Sequence, residues 1–200
     1  MNISKSALAV RSLTGADIRD AMDDLARLRI AVFADFPYLY VGDRAYEAEY
    51  LASFLSARDA VLVAAFDGAR IVGAATASPL AAQEAELREP FVGAGIDPGG
   101  VFYFGESVLL PEYRGRGVGH AFFDQREAQA RACGAGAATF AAVIRPEDHP
   151  RRPAGYVPLD GFWSRRGYAP VPGLVTTLAW QEHGEARESP KPMQYWMRAL

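Results

Sequence analysis

Apolar residues recur at helical spacing at Ile18, Met22, Leu25, Leu28, Val32 and Phe33, predicting an amphipathic helix behind a short strand over 8–13. Thr14 and Asp17 supply helix-start chemistry between the two. The aromatic segment FPYLYVGD, with Pro37 and Gly42, interrupts the pattern before a second predicted helix over 45–58, where Tyr46, Tyr50, Phe54 and Leu55 share a face. AVLVAAF (60–66), the turn pair Asp67-Gly68 and the stretch 70–77 read as a β-hairpin. Residues 80–100 predict a short helix and then a loop. VFYFGESVLL (101–110) is a long, mostly apolar strand closed by Pro111. A helix over 118–132, a strand over 137–144, a short helix in LDGFWSRRG and two last strands at 174–180 and 193–198 complete the pattern. No repeat or compositional break divides the chain. The reading is one α/β domain over 1–200, with a mixed, mostly antiparallel central sheet flanked by helices.

Composition narrows the function more than the fold. Half of the 200 residues are hydrophobic, 22% are charged and the formal net charge is -3, which argues against a nucleic-acid partner held by a basic surface. No apolar run approaches the roughly 20 residues of a bilayer span, so no membrane partner is expected. The start, MNISKSALAV, lacks a sustained apolar stretch, so no signal peptide is expected and the chain is read as cytoplasmic. Cys133 is the only cysteine, which rules out an intramolecular disulfide and a cysteine-rich zinc site. It is expected to be a buried structural thiol. His120, His149 and His183 form no ligand pattern, and no metal is expected.

The informative segment is SVLLPEYRGRGVGH (107–120), a buried strand running through a glycine-rich turn into a helix. Such a helix start presents backbone N–H groups with no intrahelical partner at the positive end of the helix dipole. Glycines let the main chain approach a ligand, and the combination suits a pyrophosphate. A P-loop would need Lys and then Ser or Thr after the last glycine, where this chain has His120 and Ala121. A dinucleotide fingerprint counted from Gly115 or Gly117 meets His120 or Phe122 in its third place.

Arg114-Gly115-Arg116-Gly117-Val118-Gly119 matches the R/Q-x-x-G-x-G/A coenzyme A signature of the GCN5-related N-acetyltransferase family, which the chain resembles. Pro111 and Tyr113 upstream, and the segment Phe162-Trp163-Ser164-Arg165-Arg166-Gly167-Tyr168 downstream, extend the resemblance over roughly residues 8–200. It implies a GNAT-like acyl-CoA N-acyltransferase fold that uses acetyl-CoA as co-substrate and acylates a small-molecule or peptide amine, as a monomer or homodimer. It implies that Arg114, Gly115, Arg116, Gly117, Val118 and Gly119 hold the pyrophosphate. Main-chain groups of Val108, Leu109 and Leu110 would then pair with the pantetheine amides, a form of strand addition.

An alkyl amine is protonated at neutral pH, so a general base must help release it for attack on a thioester. Glu106 is the acid within VFYFGESVLL, and the resemblance places a catalytic glutamate on this strand. A Glu that faces solvent or caps a backbone group is the alternative. Many relatives place a Tyr where this chain has Trp163, to protonate the departing thiolate. Indole cannot supply that proton, so Trp163 is read as lining the cofactor site. Tyr156, Tyr168 or a water is left for proton transfer, with Tyr156 the candidate catalytic group beside Glu106. Tyr38 and Tyr40 lie on a segment that lines the acceptor pocket in relatives, or simply pack. Arg145, His149, Arg151 and Arg152 lie on a loop read either as solvated or as an acidic-group site, and Glu182, Glu185 and Glu188 are read as a solvated turn. A non-catalytic acyl-CoA sensor is the competing function, and the loss of Tyr at Trp163 is its best support.

Overall fold

The computed structural model describes residues 8–200; the first seven, which carry most of the segment behind the expectation of no signal peptide, lie outside them. Among the described residues the chain forms β1 (Ala9–Leu13), α1 (Ala16–Asp20), α2 (Met22–Phe33), α3 (Arg44–Ser56), β2 (Val61–Asp67) and β3 (Arg70–Pro79). These are followed by α4 (Ala85–Gly93), β4 (Val101–Leu109), α5 (Val118–Ala132), β5 (Ala137–Val143), α6 (Asp160–Arg165), β6 (Ala169–Trp180) and β7 (Ser189–Ala199). The first predicted helix is two: Ala21 caps α1 and leads straight into α2, so the apolar stripe from Ile18 to Phe33 continues across the break. Asp43 caps α3 by accepting hydrogen bonds from the backbone N–H groups of Ala45 and Tyr46.

One seven-stranded sheet runs in the order β1-β2-β3-β4-β5-β7-β6. All neighbours are antiparallel except β4 and β5. Strands β2 and β3 are buried along nearly their whole length, as expected of central strands covered on both faces. Helix α2 packs on β3 and β4 from one side, and α5 packs on β1 to β4 from the other.

Two irregularities in β4 shape everything that follows. Its parallel pairing with β5 covers only Val101 to Tyr103, against Ala137 to Thr139. Beyond Tyr103 the strands diverge, and among the described residues β4 has no partner on that edge. Against β3 the register slips, because Ala75 faces Ser107 whereas Ala77 faces Phe104. The slip is a β-bulge at Gly105–Glu106 opposite Thr76. Gly105 is required there: a Cβ would stand 2.5 Å from the Thr76 hydroxyl oxygen.

Candidate active site

Glu106 emerges from the bulge into a buried, charged cluster rather than an apolar one. Its Oε1 accepts a hydrogen bond from Nη1 of Arg29, and its Oε2 accepts one from the Thr76 hydroxyl. The Thr76 oxygen in turn accepts from the Glu106 backbone N–H at 3.0 Å. Nε of Arg29 reaches Glu47 at 2.5 Å, so one guanidinium bridges two carboxylates contributed by α3 and β4. The Tyr50 ring stacks over Arg29 at 4.3 Å, and its hydroxyl hydrogen-bonds Glu106. Burial works against the Arg29 charge, but Glu106, Tyr50 and Glu47 outweigh it and hold the guanidinium protonated. Arg29 and Glu47 are the site residues that sequence reading missed. Arg29 interrupts the apolar face of α2 between Leu28 and Ile30, and a lone Arg in a core stripe was the available signal.

The second part of the site is the start of α5. Gly117 is its N-cap with φ 80°, in the left-handed region, and no side chain caps the helix. Among the described residues the backbone N–H groups of Gly115, Arg116, Gly117, Val118 and Gly119 have no recorded partner. Five free donors at a helix N-terminus fit a pyrophosphate. Arg114 lies beside them, its Nε donating to the Leu109 carbonyl at 3.3 Å, while Arg116 folds over the Tyr113 ring and donates to the Glu112 carbonyl. The N–H of Leu110 is engaged by the Val72 carbonyl. Because successive strand residues turn their amides to opposite edges, Val108 and Leu110 point toward β3 and Leu109 faces the open edge. Of the three residues expected to meet the pantetheine arm, Leu109 is the one so oriented.

Trp163 stacks in an aromatic cluster, with ring centroids 4.9 Å from Phe140 and 5.2 Å from Trp196. Phe162 packs on His120 and Phe123, so α6 rests on α5 directly behind the glycine turn. Arg166 ties the two helices through Asp124 at 2.7 Å and Glu127 at 3.1 Å. Tyr156 meets Phe36 edge-on at 4.7 Å, and Arg152 lies over its ring. That contact puts Tyr156 against the segment between α2 and α3. Burial raises its phenol above the usual value, so it carries its proton.

Three loop readings change. Arg145 is not a solvated or ligand-seeking cation: it donates to the Pro37 and Tyr38 carbonyls and to Glu182 at 2.5 Å. Glu182 is likewise buried, bound by Arg145 and Lys191. Together with hydrogen bonds from Val41 to the Gln181 carbonyl and from His183 to the Leu39 carbonyl, they pin the aromatic segment to the β6–β7 turn. Tyr40 is buried there and Tyr38 packs between Phe33 and Trp180. Cys133 is exposed, not buried, because it follows the last residue of α5 at the helix's solvent end.

The sequence matches the model of the Acetyltransferase (GNAT) family over residues 25–154, about two thirds of the chain. The protein is a member of the GNAT family. Among curated proteins none matches the sequence significantly. Solved GNAT structures share the fold at low identity. A GCN5-related N-acetyltransferase from Kribbella flavida is 17% identical with a TM-score of 0.57, covering 97% of this chain and 98% of its own. A ribosomal-protein-alanine N-acetyltransferase from Brucella melitensis is 12% identical at 0.60, with 96% and 99% covered. The yncA protein of Salmonella typhimurium, solved with its cofactor acetyl-CoA, is 11% identical at 0.57, with 98% and 95% covered. Among the described residues of this GNAT protein no cluster of His, Cys, Asp and Glu could hold a metal ion, and no helix is long and apolar enough to cross a membrane.

Proposed function

We propose that this GNAT protein is an acetyl-CoA-dependent N-acetyltransferase that acylates a primary amine by direct attack in a ternary complex, with 1–200 acting as one catalytic domain. The observation that carries the reading is the joining of two features by one strand. The edge of β4 left open beyond Tyr103 leads to the uncapped N-terminus of α5, and Glu106 stands on that same stretch of β4. Leu109 would pair with the pantetheine arm, and the N–H groups of residues 115–119 with Arg114 would hold the pyrophosphate. Trp163, on α6 behind the turn, would flank the cofactor.

In this scheme Glu106 accepts a proton from the incoming ammonium, directly or through water. The amine nitrogen bonds to the thioester carbonyl carbon as the C–S bond breaks, and the thiolate leaves with a proton from Tyr156 or solvent. A thiol with a pKa of about 8.5 is a tolerable leaving group, so Trp163 in place of Tyr does not preclude turnover. A second reading, an acyl-CoA sensor without turnover, draws on one observation: both Glu106 oxygens are already bound, by Arg29 and Thr76. Acetyl-CoA binding by calorimetry, wild type against Arg114→Ala/Gly117→Asp, tests the cofactor site. Free coenzyme A release with an amine panel then tests catalysis, where Glu106→Gln should lower kcat by about 100-fold or more. Equal kcat in the Gln variant would refute the base, and tight binding without release for any amine would favour the sensor.

A further inference from the structure

Beside Glu106 a groove opens between α3, the end of β3, the start of α4 and β4, and its lining carries a consistent charge. It is lined by Tyr50, Phe54, Leu87 and Tyr103 along its length, and among the described residues its lining holds two carboxylic acids, Glu106 and Glu84, and no Lys, Arg or His. Glu84 stands at the N-cap of α4 without making a capping bond, and it has no recorded ion-pair partner among the described residues. Arg29, which pairs with Glu106, is shared with Glu47, so one guanidinium serves two carboxylates and does not itself line the groove. Tyr103 supplies an independent sign of a ligand. Its side chain is 8% exposed, its hydroxyl has no hydrogen-bond partner among the described residues, and it lines the groove. Burial keeps that phenol neutral, so its oxygen can accept from a bound N–H.

Resting on the transferase reading above, we propose that the acceptor is a dicationic amine. Its reacting nitrogen lies at Glu106 and the Tyr103 hydroxyl, its apolar connector runs along Tyr50, Phe54 and Leu87, and its second positive charge lies at Glu84. A carboxylate on the acceptor is disfavoured, because the described lining offers it no cation and two acidic side chains.

The test compares kcat/KM across a homologous series of α,ω-diamines, each against the monoamine and the ω-amino acid of equal chain length. At the best length, the diamine should lead and the ω-amino acid should trail. Glu84→Gln, an exposed neutral isostere, should lower the diamine-to-monoamine ratio of kcat/KM about fivefold. A ratio unmoved by Glu84→Gln, or ω-amino acids used as well as diamines, overturns the inference and leaves the transferase standing. No coenzyme A release with any amine, from protein that binds acetyl-CoA, overturns both.

Discussion

Replacing Arg29 by Met keeps most of the side-chain volume and removes the charge between two buried carboxylates. Arg29 is 8% exposed, Glu47 0% and Glu106 8%, so solvent cannot take over from the guanidinium. Glu47, fully buried, loses its cation. Glu106 keeps the Thr76 and Tyr50 hydroxyls but loses the cation. Removing one partner from a buried ion pair typically costs about 3–5 kcal/mol, mainly because the other charge stays behind uncompensated. A loss of about 4 kcal/mol is therefore expected near neutral pH, or a fall in Tm of roughly 8–16 °C for a chain of this size. Chemical denaturation followed by circular dichroism measures it. The charge argument makes a second demand: Arg29→Met/Glu47→Gln should recover about half of the loss, because the double variant strands one carboxylate instead of two. Arg29→Lys should recover little, since a point ammonium cannot donate along two directions as the guanidinium does. A loss below about 1 kcal/mol for Arg29→Met, or no recovery in the double variant, would refute the reasoning.

Two further outcomes follow from backbone and burial. Gly117→Ala places a Cβ in open space, so only the left-handed φ of 80° penalises it; a destabilisation of about 1–2 kcal/mol by urea titration is expected, with a raised Kd for acetyl-CoA. Burial pushes the Tyr38 phenol up to about 12 from its ordinary 10, only partly offset by Arg29 and Arg145. The folded state then holds a proton that the unfolded chain releases, so this stabilisation is whole below about pH 10 and is lost as pH rises toward about 12. The urea midpoint should fall over that window, and less steeply in Tyr38→Phe.

Local pattern made most of the elements legible. The hairpin over β2 and β3, the long strand at β4 and the helix after the glycine turn are each specified by near neighbours in sequence: apolar runs, a turn pair, a Pro stop. Glu106 was legible because it interrupts an apolar strand, and Arg114 to Gly119 because a backbone that must approach a phosphate needs glycines at fixed spacing. What could not be read were partners distant in sequence. The bond from Arg29 to Glu106 spans 77 residues and that from Arg145 to Glu182 spans 37, and no periodicity encodes either. The same holds for Glu84 and Tyr103, which become neighbours of one groove only when α4 folds back over β4. Arg145 and Glu182 look solvated in sequence because each lies in a polar, Pro-rich or acidic stretch; pairing with one another is what allows their burial.

The two irregularities of β4 are physically linked, and Arg126 is the link. A bulge leaves main-chain carbonyls without ladder partners, and such groups are costly in a core unless something else bonds them. Arg126, 1% exposed on α5, donates from Nη1 to the carbonyls of Thr76 at 3.3 Å and Glu106 at 3.4 Å, the two residues that face each other across the slip. Its Nε bonds the Phe122 carbonyl, and its guanidinium lies 4.4 Å from the Phe104 ring centroid. Among the described residues no carboxylate pairs with it directly, and burial pushes its pKa down to about 10, so its charge is maintained at a penalty. An ordinary ladder at this point would need no such residue. It would also alternate Glu106 onto the other face of the sheet, away from Arg29 and the groove, because a one-residue change of register reverses every side chain beyond it. The same helix that carries Arg126 begins at Gly117, so α5 both braces the bulge and presents the free N–H groups. One rigid element thus sets the position of the candidate base relative to the candidate pyrophosphate site, and the open edge of β4 spans the distance between them.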